Sequence, residues 1–311
     1  MSKTGGGRGT NQHRVKGSSV AQPGSARARY GSGPARADVD LGLHREEEAP
    51  QSLTAAPIQD VALLEPGGAD LARFSPTSPE RALARYVDRR ADYAFSSAYL
   101  EGNTFTLPEV YTLLDGVVPG GKERDDVDQV LALTTASEEL VDQVQDGTFH
   151  LDLETSDRLN GLLARHEAID AGTRRSRSRI NSDGRGAVVN VLGDEFTGYT
   201  KQQLREAEPA LLERTERINH PVLRAVNYAS LATYMQMYLD GNKRTARYMA
   251  DGELMNHGFD AIVIPARRRD EYHQSLATMF RSADTSPYAL FLLDVAARGD
   301  AVSDDGSDAS A

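Results

Sequence analysis

Tyr238-Leu239-Asp240-Gly241-Asn242-Lys243-Arg244-Thr245-Ala246-Arg247 decides how this chain is read. The segment lies between two helical patterns, so Asp240-Gly241-Asn242 reads as a tight turn opening the second helix. A helix start presents unpaired backbone N–H groups and the positive end of the helix dipole. Gly241 carries no Cβ and lets a phosphate approach the backbone. Lys243, Arg244 and Arg247 fall in the first two turns, and the arginines, at i and i+3, share a face. Asp240 beside such a cradle is placed to hold a Mg²⁺ that neutralises phosphates. Chemistry alone leaves two readings open: a phosphate cradle, or a solvated basic helix start capped by Asp240.

Working outward, helical spacing of apolar residues predicts helices over 221–237 and 242–256 around the turn, and over 269–282 and 287–297 beyond it. Upstream, helices are predicted over 106–116, 125–145, 153–169 and 200–219. Ser78-Pro79-Glu80-Arg81 is a capped helix start, and Leu83, Tyr86, Tyr93, Phe95, Ala98 and Tyr99 continue one helical run to Gly102. Residues 172–197 change character: Arg- and Gly-rich pieces surround the β-branched run Val188-Val189-Asn190-Val191, which reads as a hairpin-like flap. The fold class expected is mostly α, with one small β-hairpin.

The motif resembles a known family. Asp-Gly-Asn-x-Arg-Thr-Ala-Arg is similar to the signature of Fic domains, His-Pro-Phe-x-Asp/Glu-Gly-Asn-Gly-Arg-x-x-Arg, whose members transfer AMP from ATP to a protein hydroxyl. The likeness extends over about residues 80–298. Asn219-His220-Pro221 opens the helix leading into the motif, Asn256-His257-Gly258-Phe259 ends the motif helix, and Tyr272-His273-Gln274-Ser275-Leu276 resembles the family's closing helices. Ser97-Ala98-Tyr99-Leu100-Glu101-Gly102 is similar to the inhibitory motif Ser/Thr-x-x-x-Glu-Gly/Asn. The resemblance implies that Glu101, flanked by Ser97 and Gly102, pairs with Arg247 and draws it away from a γ-phosphate. Read alone, Glu101 merely ends a helix before a glycine stop.

The departures matter more. The family's histidine, the general base, falls at Gln236, its proline at Met237 and its phenylalanine at Tyr238. A glutamine amide orients a hydroxyl but cannot remove its proton, and general-base help is typically worth about 10²–10⁴ in rate. Lys243 stands where most members have glycine. The death-on-curing branch of the superfamily resembles this chain in the run Asn-Lys-Arg-Thr-Ala, yet it too keeps the histidine. His220 and His257 read as capping or surface residues, so no replacement base is expected.

The resemblance therefore implies a protein that binds ATP, or another nucleoside triphosphate, with Mg²⁺. Gly241, Asn242, Lys243, Arg244 and Arg247 would hold the nucleotide, Asp240 the metal, and Glu101 would restrain the site. AMP transfer is expected to be weak or absent. Two other readings stay open: a nucleotide-sensing pseudoenzyme, and altered chemistry in which Glu101 activates water to remove AMP from a target. The stretch from Gly172 to Val191, with Arg174, Arg175, Arg177 and Arg179, would begin the flap that clamps a protein target. Its plainer reading is a solvated basic loop.

Composition bounds the rest. The chain has 311 residues and no cysteine, which excludes disulfides, thiolate metal sites and a cysteine nucleophile and agrees with a reducing, cytoplasmic setting. No apolar run approaches the roughly 18 residues that span a bilayer, and no apolar signal region follows Lys3. The net charge of -11 argues against non-specific nucleic-acid binding, and no aromatics interleave with the arginines for base stacking. A homo-oligomer is left open. Residues 1–75, rich in Gly, Ser, Pro, Ala and Arg, are expected to form a disordered tail. Residues 76–150 are expected to be a helical region with the inhibitory helix, 151–298 the Fic-type core, and 299–311 an acidic disordered tail.

Overall fold

A computed structural model describes residues 51–180 and 186–298, so the expected tails over 1–50 and 299–311 lie outside the described residues. Among the described residues the chain forms ten α-helices and one three-stranded sheet. The mostly helical fold with a small hairpin is the one expected. None of the described helices is long and apolar enough to cross a membrane.

The run expected from 79 to Gly102 is two helices, α1 (Pro79–Asp88) and α2 (Arg90–Leu100), because Arg89 leaves helical geometry at φ -110°, ψ 18°. Ser78 caps α1 by accepting from Arg81 N. The next helices are α3 (Leu107–Leu114), opened by a Thr106/Glu109 capping box, and α4 (Arg124–Gln145). Helix α5 (Leu153–Leu163) follows, capped by Asp152. It stops well short of the predicted 169. The residues beyond it turn back, with Glu167 N bonded to Ala164 O, and this carries Glu167 toward the motif.

Helices α6 (Lys201–Glu216), α7 (Pro221–Met235), α8 (Asn242–Asn256), α9 (Arg269–Ser282) and α10 (Ser286–Arg298) complete the domain. The centre of the core is the α7–α8 pair. Every residue of α8 from Arg244 to Met255 is buried, as is nearly all of α7. Helices buried all round are core helices, and their polar side chains must find internal partners. Gly252 of α8 permits this packing: a Cβ there would meet the Phe149 ring at 2.2 Å.

The sheet corrects the expected boundary of the tail. Strands β2 (Val188–Val191) and β3 (Asp194–Thr197) form the predicted hairpin, turning at Leu192 and Gly193, both with positive φ. A third strand, β1 (Ser52–Thr54), pairs parallel with β3, giving the order β1-β3-β2. Residues 51–75, expected within the disordered tail, are therefore part of the ordered domain. Fixed donors and acceptors of the helices hold their backbone. Leu64 N and O bond the buried Asn227 amide at 2.9 and 3.0 Å, and Arg214 donates to Ile58 O and Val61 O. Val61 and Leu64 are buried in the core. A composition-based reading cannot see acceptors that lie more than a hundred residues away.

The arginine cluster is corrected in part: Arg177 and Arg179 are exposed, as a solvated loop requires, but the other two are not. Arg174 and Arg175, read as solvated or as target-facing, are 3% and 1% exposed. Arg174 pairs with Asp157 and Glu208, and Arg175 donates to backbone carbonyls.

Candidate nucleotide site

The motif forms a loop between the two core helices. Helix α7 ends at Gln236 in the left-handed region (φ 52°, ψ 58°), an uncommon place for a residue with a Cβ. Its Nε2 donates to Thr233 O at 2.6 Å, closing the last turn of its own helix, so Oε1 is the acceptor left over. Asn242 clasps the loop by accepting from Tyr238 N and donating to Tyr238 O at 2.8 and 3.0 Å. Gly241, the N-cap of α8, has φ 73°. A Cβ there would stand 3.1 Å from Asn160 Nδ2 and 3.2 Å from Ala164 Cβ. Both the backbone angle and the space call for glycine.

The cations of α8 divide between two carboxylates. On one side, Glu101 at the C-cap of α2 receives Lys243 Nζ at 2.9 Å and Arg247 Nη2 at 3.4 Å. Arg247 is 7% exposed and also donates to Ser97 Oγ at 3.0 Å and Tyr272 Oη at 2.7 Å. Gly102 takes φ 86° immediately after the glutamate. Ser97, Glu101, Lys243 and Arg247 thus come together. On the other side, Arg244 makes a two-pronged contact with Glu167, donates to Leu163 O, and lies 3.1 Å from Asp240 Oδ1. Asp240 is half-exposed beside the turn.

Burial works against a charged Glu101, but the surrounding Lys243, Arg247 and Arg244 outweigh it and hold the carboxyl at about 2. Burial likewise opposes the Arg247 charge, yet Tyr272 and Glu101 push its pKa up. The Asp240 carboxyl is raised, first by the desolvation of its packed side and then by the nearby Glu167 and Glu101 charges, against the pull of Arg244. His273 on α9 is pushed down to about 4 by burial and by Lys243 and Arg269, which leaves a neutral imidazole close to the cation cluster.

Several residues that build this site escaped the sequence reading. Asn160 Nδ2 donates to Asp240 O at 2.9 Å and Thr245 Oγ1 at 3.1 Å, and its Oδ1 accepts from Gly172 N at 2.9 Å. Its signal was present: an asparagine set between Leu159 and Leu163 on a helix. Glu167 carried no such signal, and Arg175 was singled out only as part of a flap or solvated loop, not as a support of the motif loop. Among the described residues no group of three or more His, Asp or Glu could hold a metal by protein ligands alone.

A buried α7–α8 pair, a cation-rich helix start and a β-hairpin beside the connecting loop agree with the Fic-type fold that the sequence resemblance implied. No family model matches the chain. Curated relatives do: protein adenylyltransferase Fic of Drosophila yakuba is 27% identical over 216 residues, 65% of this chain and 39% of the relative. The chain thus spans about two-fifths of the length of such relatives. Among solved structures, a Fic domain containing signaling protein of Bacteroides thetaiotaomicron superposes with a TM-score of 0.59 at 20% identity, covering 76% of this chain and 96% of that one. Fic-1 of C. elegans gives 0.55 at 21% identity, over 70% of this chain and 63% of its own. Sequence likeness and shared fold together place the chain in the Fic superfamily.

Proposed function

We propose that the chain binds a nucleoside triphosphate at the start of α8, and that Glu101 restrains this site. The observation that carries the reading is the Glu101 carboxylate shared between Lys243 and Arg247. A buried carboxylate at this point occupies the cations that a triphosphate would need. The residues suit such a ligand: three cations stand at one helix start, where the positive end of the helix dipole also favours an anion. Asp240 would hold Mg²⁺, which when bound neutralises phosphate charge; a nucleotide-borne Mg²⁺ needs only one or two protein carboxylates. ATP is the nucleotide that the adenylyltransferase relatives suggest. A protein segment lying along the hairpin near β2 would be the target.

In AMP transfer a hydroxyl oxygen attacks the α-phosphorus, the bond to the departing pyrophosphate breaks, and the hydroxyl proton must pass to a base. Gln236 meets only part of this requirement. Its Oε1 accepts a hydrogen bond and orients a hydroxyl, but it takes no proton at neutral pH. We therefore read the natural chain as a weak or silent transferase. The tethering of Gln236 Nε2 to Thr233 O favours a second reading, a nucleotide-sensing module without turnover. Removal of AMP by water activated at Glu101 is disfavoured, because a carboxylate held at about 2 is a poor base.

Titration calorimetry with Mg·ATP tests the site. The Glu101→Gly variant should bind more tightly than the natural chain, and Asp240→Ala in that background should bind more weakly. Equal affinities across all three would overturn the cradle.

A further inference from the structure

The loop carrying Gln236 is held by a buried guanidinium that comes from neither core helix. Arg175 is 1% exposed. Its Nη1 donates to Gln236 O at 2.8 Å, its Nη2 to Tyr199 O at 2.9 Å, and its backbone N to Met237 O at 2.7 Å. Tyr199 follows Gly198, at the root of the hairpin. Gly198 N is bonded to Ala187 O, and a Cβ on Gly198 would stand 3.4 Å from Gln236 Cβ. One side chain therefore joins the α7–α8 loop to the C-terminal end of β3 and, through Gly198, to the segment entering β2.

This linkage has work to do. Residue 236 has a left-handed backbone although it bears a Cβ, a conformation that persists only where its surroundings over-determine it. The carbonyls of residues 236 and 237 lie past the last helical turn, where no helical N–H reaches them, and Arg175 supplies donors to both. Three bonds from one residue to two loop carbonyls and the hairpin root also set the distance between the residue-236 side chain and β2.

We infer that Arg175 is a positioning residue: it fixes the residue-236 turn against the hairpin root, so that a hydroxyl presented along the hairpin meets residue 236 in one geometry. This rests on the reading above, in which residue 236 stands at the reacting centre. A misplacement of about 1 Å at such a centre costs on the order of 10²-fold in rate.

The test uses the full chain carrying Glu101→Gly and Gln236→His, alone and with Arg175→Met or Arg175→Lys added. AMP incorporation into the chain itself from α-labelled ATP gives kcat and the KM for ATP. An NMR titration of the introduced imidazole reads the surroundings of residue 236 without any turnover. Arg175→Met should lower kcat by about 10²-fold and leave the KM for ATP nearly constant. The imidazole should titrate at higher pH once the neighbouring cation is gone, and Arg175→Lys should restore part of both effects. An unchanged kcat with an unchanged imidazole titration overturns the inference, as does a fall in kcat matched by a rise in the KM for ATP. If Arg175→Met melts at assay temperature, the lysine variant decides on the same kcat-against-KM split. A parent that neither binds nucleotide nor transfers AMP sinks the functional reading instead, and the titration then decides for Arg175 by itself.

Discussion

The Glu101 carboxylate lies nearer the Lys243 amine than the Arg247 guanidinium: Nζ to Oε2 is 2.9 Å, and Nη2 to Oε1 is 3.4 Å. Lys243, standing where most of the family has glycine, is thus the closer of the two cations restrained by the glutamate. Glu101→Gly should release both and tighten Mg·ATP binding. In that background Lys243→Ala should lose about tenfold in affinity, the worth of one charge-assisted contact. Calorimetry decides; a Lys243→Ala variant that binds as well as its parent would leave lysine outside the cradle.

The same pair makes stability depend on acid. The Glu101 carboxyl is lowered from 4.5 to about 2 in the folded protein. A lowered carboxyl contributes stability above its unfolded value and loses it as pH falls through the folded one. Glu101→Gln should therefore destabilise the domain at neutral pH by roughly 1–3 kcal/mol. The gap between variant and natural chain should close as pH falls from 4.5 toward 2. Urea melts across that range test the sign, and a gap that widens in acid refutes it.

Asp251 has the opposite sign. It is 4% exposed on α8 and accepts from Ile262 N at 2.8 Å. Burial, outweighing that hydrogen bond and the pull of Arg247, pushes its carboxyl up from 3.8 to about 7. The folded state then holds a proton that the unfolded chain has released, so stability should fall as pH rises from 3.8 to about 7. Asp251→Asn keeps the acceptor and removes the titration. Its melting temperature should drop less than that of the natural chain between mildly acidic and alkaline buffer; parallel curves would count against a neutral Asp251.

Gln236 separates an enzyme from a binding module. Adding Gln236→His to Glu101→Gly should raise AMP transfer or self-modification by about 10²–10⁴, the general-base factor. Labelled ATP and autoradiography suffice to see it. Robust transfer by the Glu101→Gly chain with Gln236 intact would mean that another group takes the proton. No rescue would mean that Met237 or Lys243 has altered the site as well.

Asn227 anchors the N-terminal strand region. Asn227→Ala would leave Leu64 N and O short of a partner in the core. The expected cost is roughly 2–4 kcal/mol, with hydrogen exchange quickening across residues 52–64. Unchanged exchange in that segment would mean that Arg214, and Thr285, whose N and Oγ1 both donate to Ala62 O at 2.9 Å, hold it without help.

Much of this was legible in the chain itself. Helices α8 and α9 fall where apolar spacing and caps predicted them, because a helix end is written locally in Gly, Pro, Asn and Ser. The hairpin was legible in a β-branched run, and the cation-rich helix start in Asp240-Gly241-Asn242 and the basic residues after it. The pairing of Glu101 with Arg247 followed from a motif resemblance, not from any local rule. What the sequence could not contain is the set of long-range partners. Composition assigned residues 51–75 to a tail, yet acceptors and donors on α6, α7 and the α9–α10 turn order them. Arg174 and Arg175 read as a solvated loop, yet tertiary structure surrounds them with carboxylates and carbonyls. Glu167 gave no signal, yet it takes Arg244. In each case the deciding group lies far along the chain, and a charged or polar side chain shows whether it faces water or a partner only once the helices have packed.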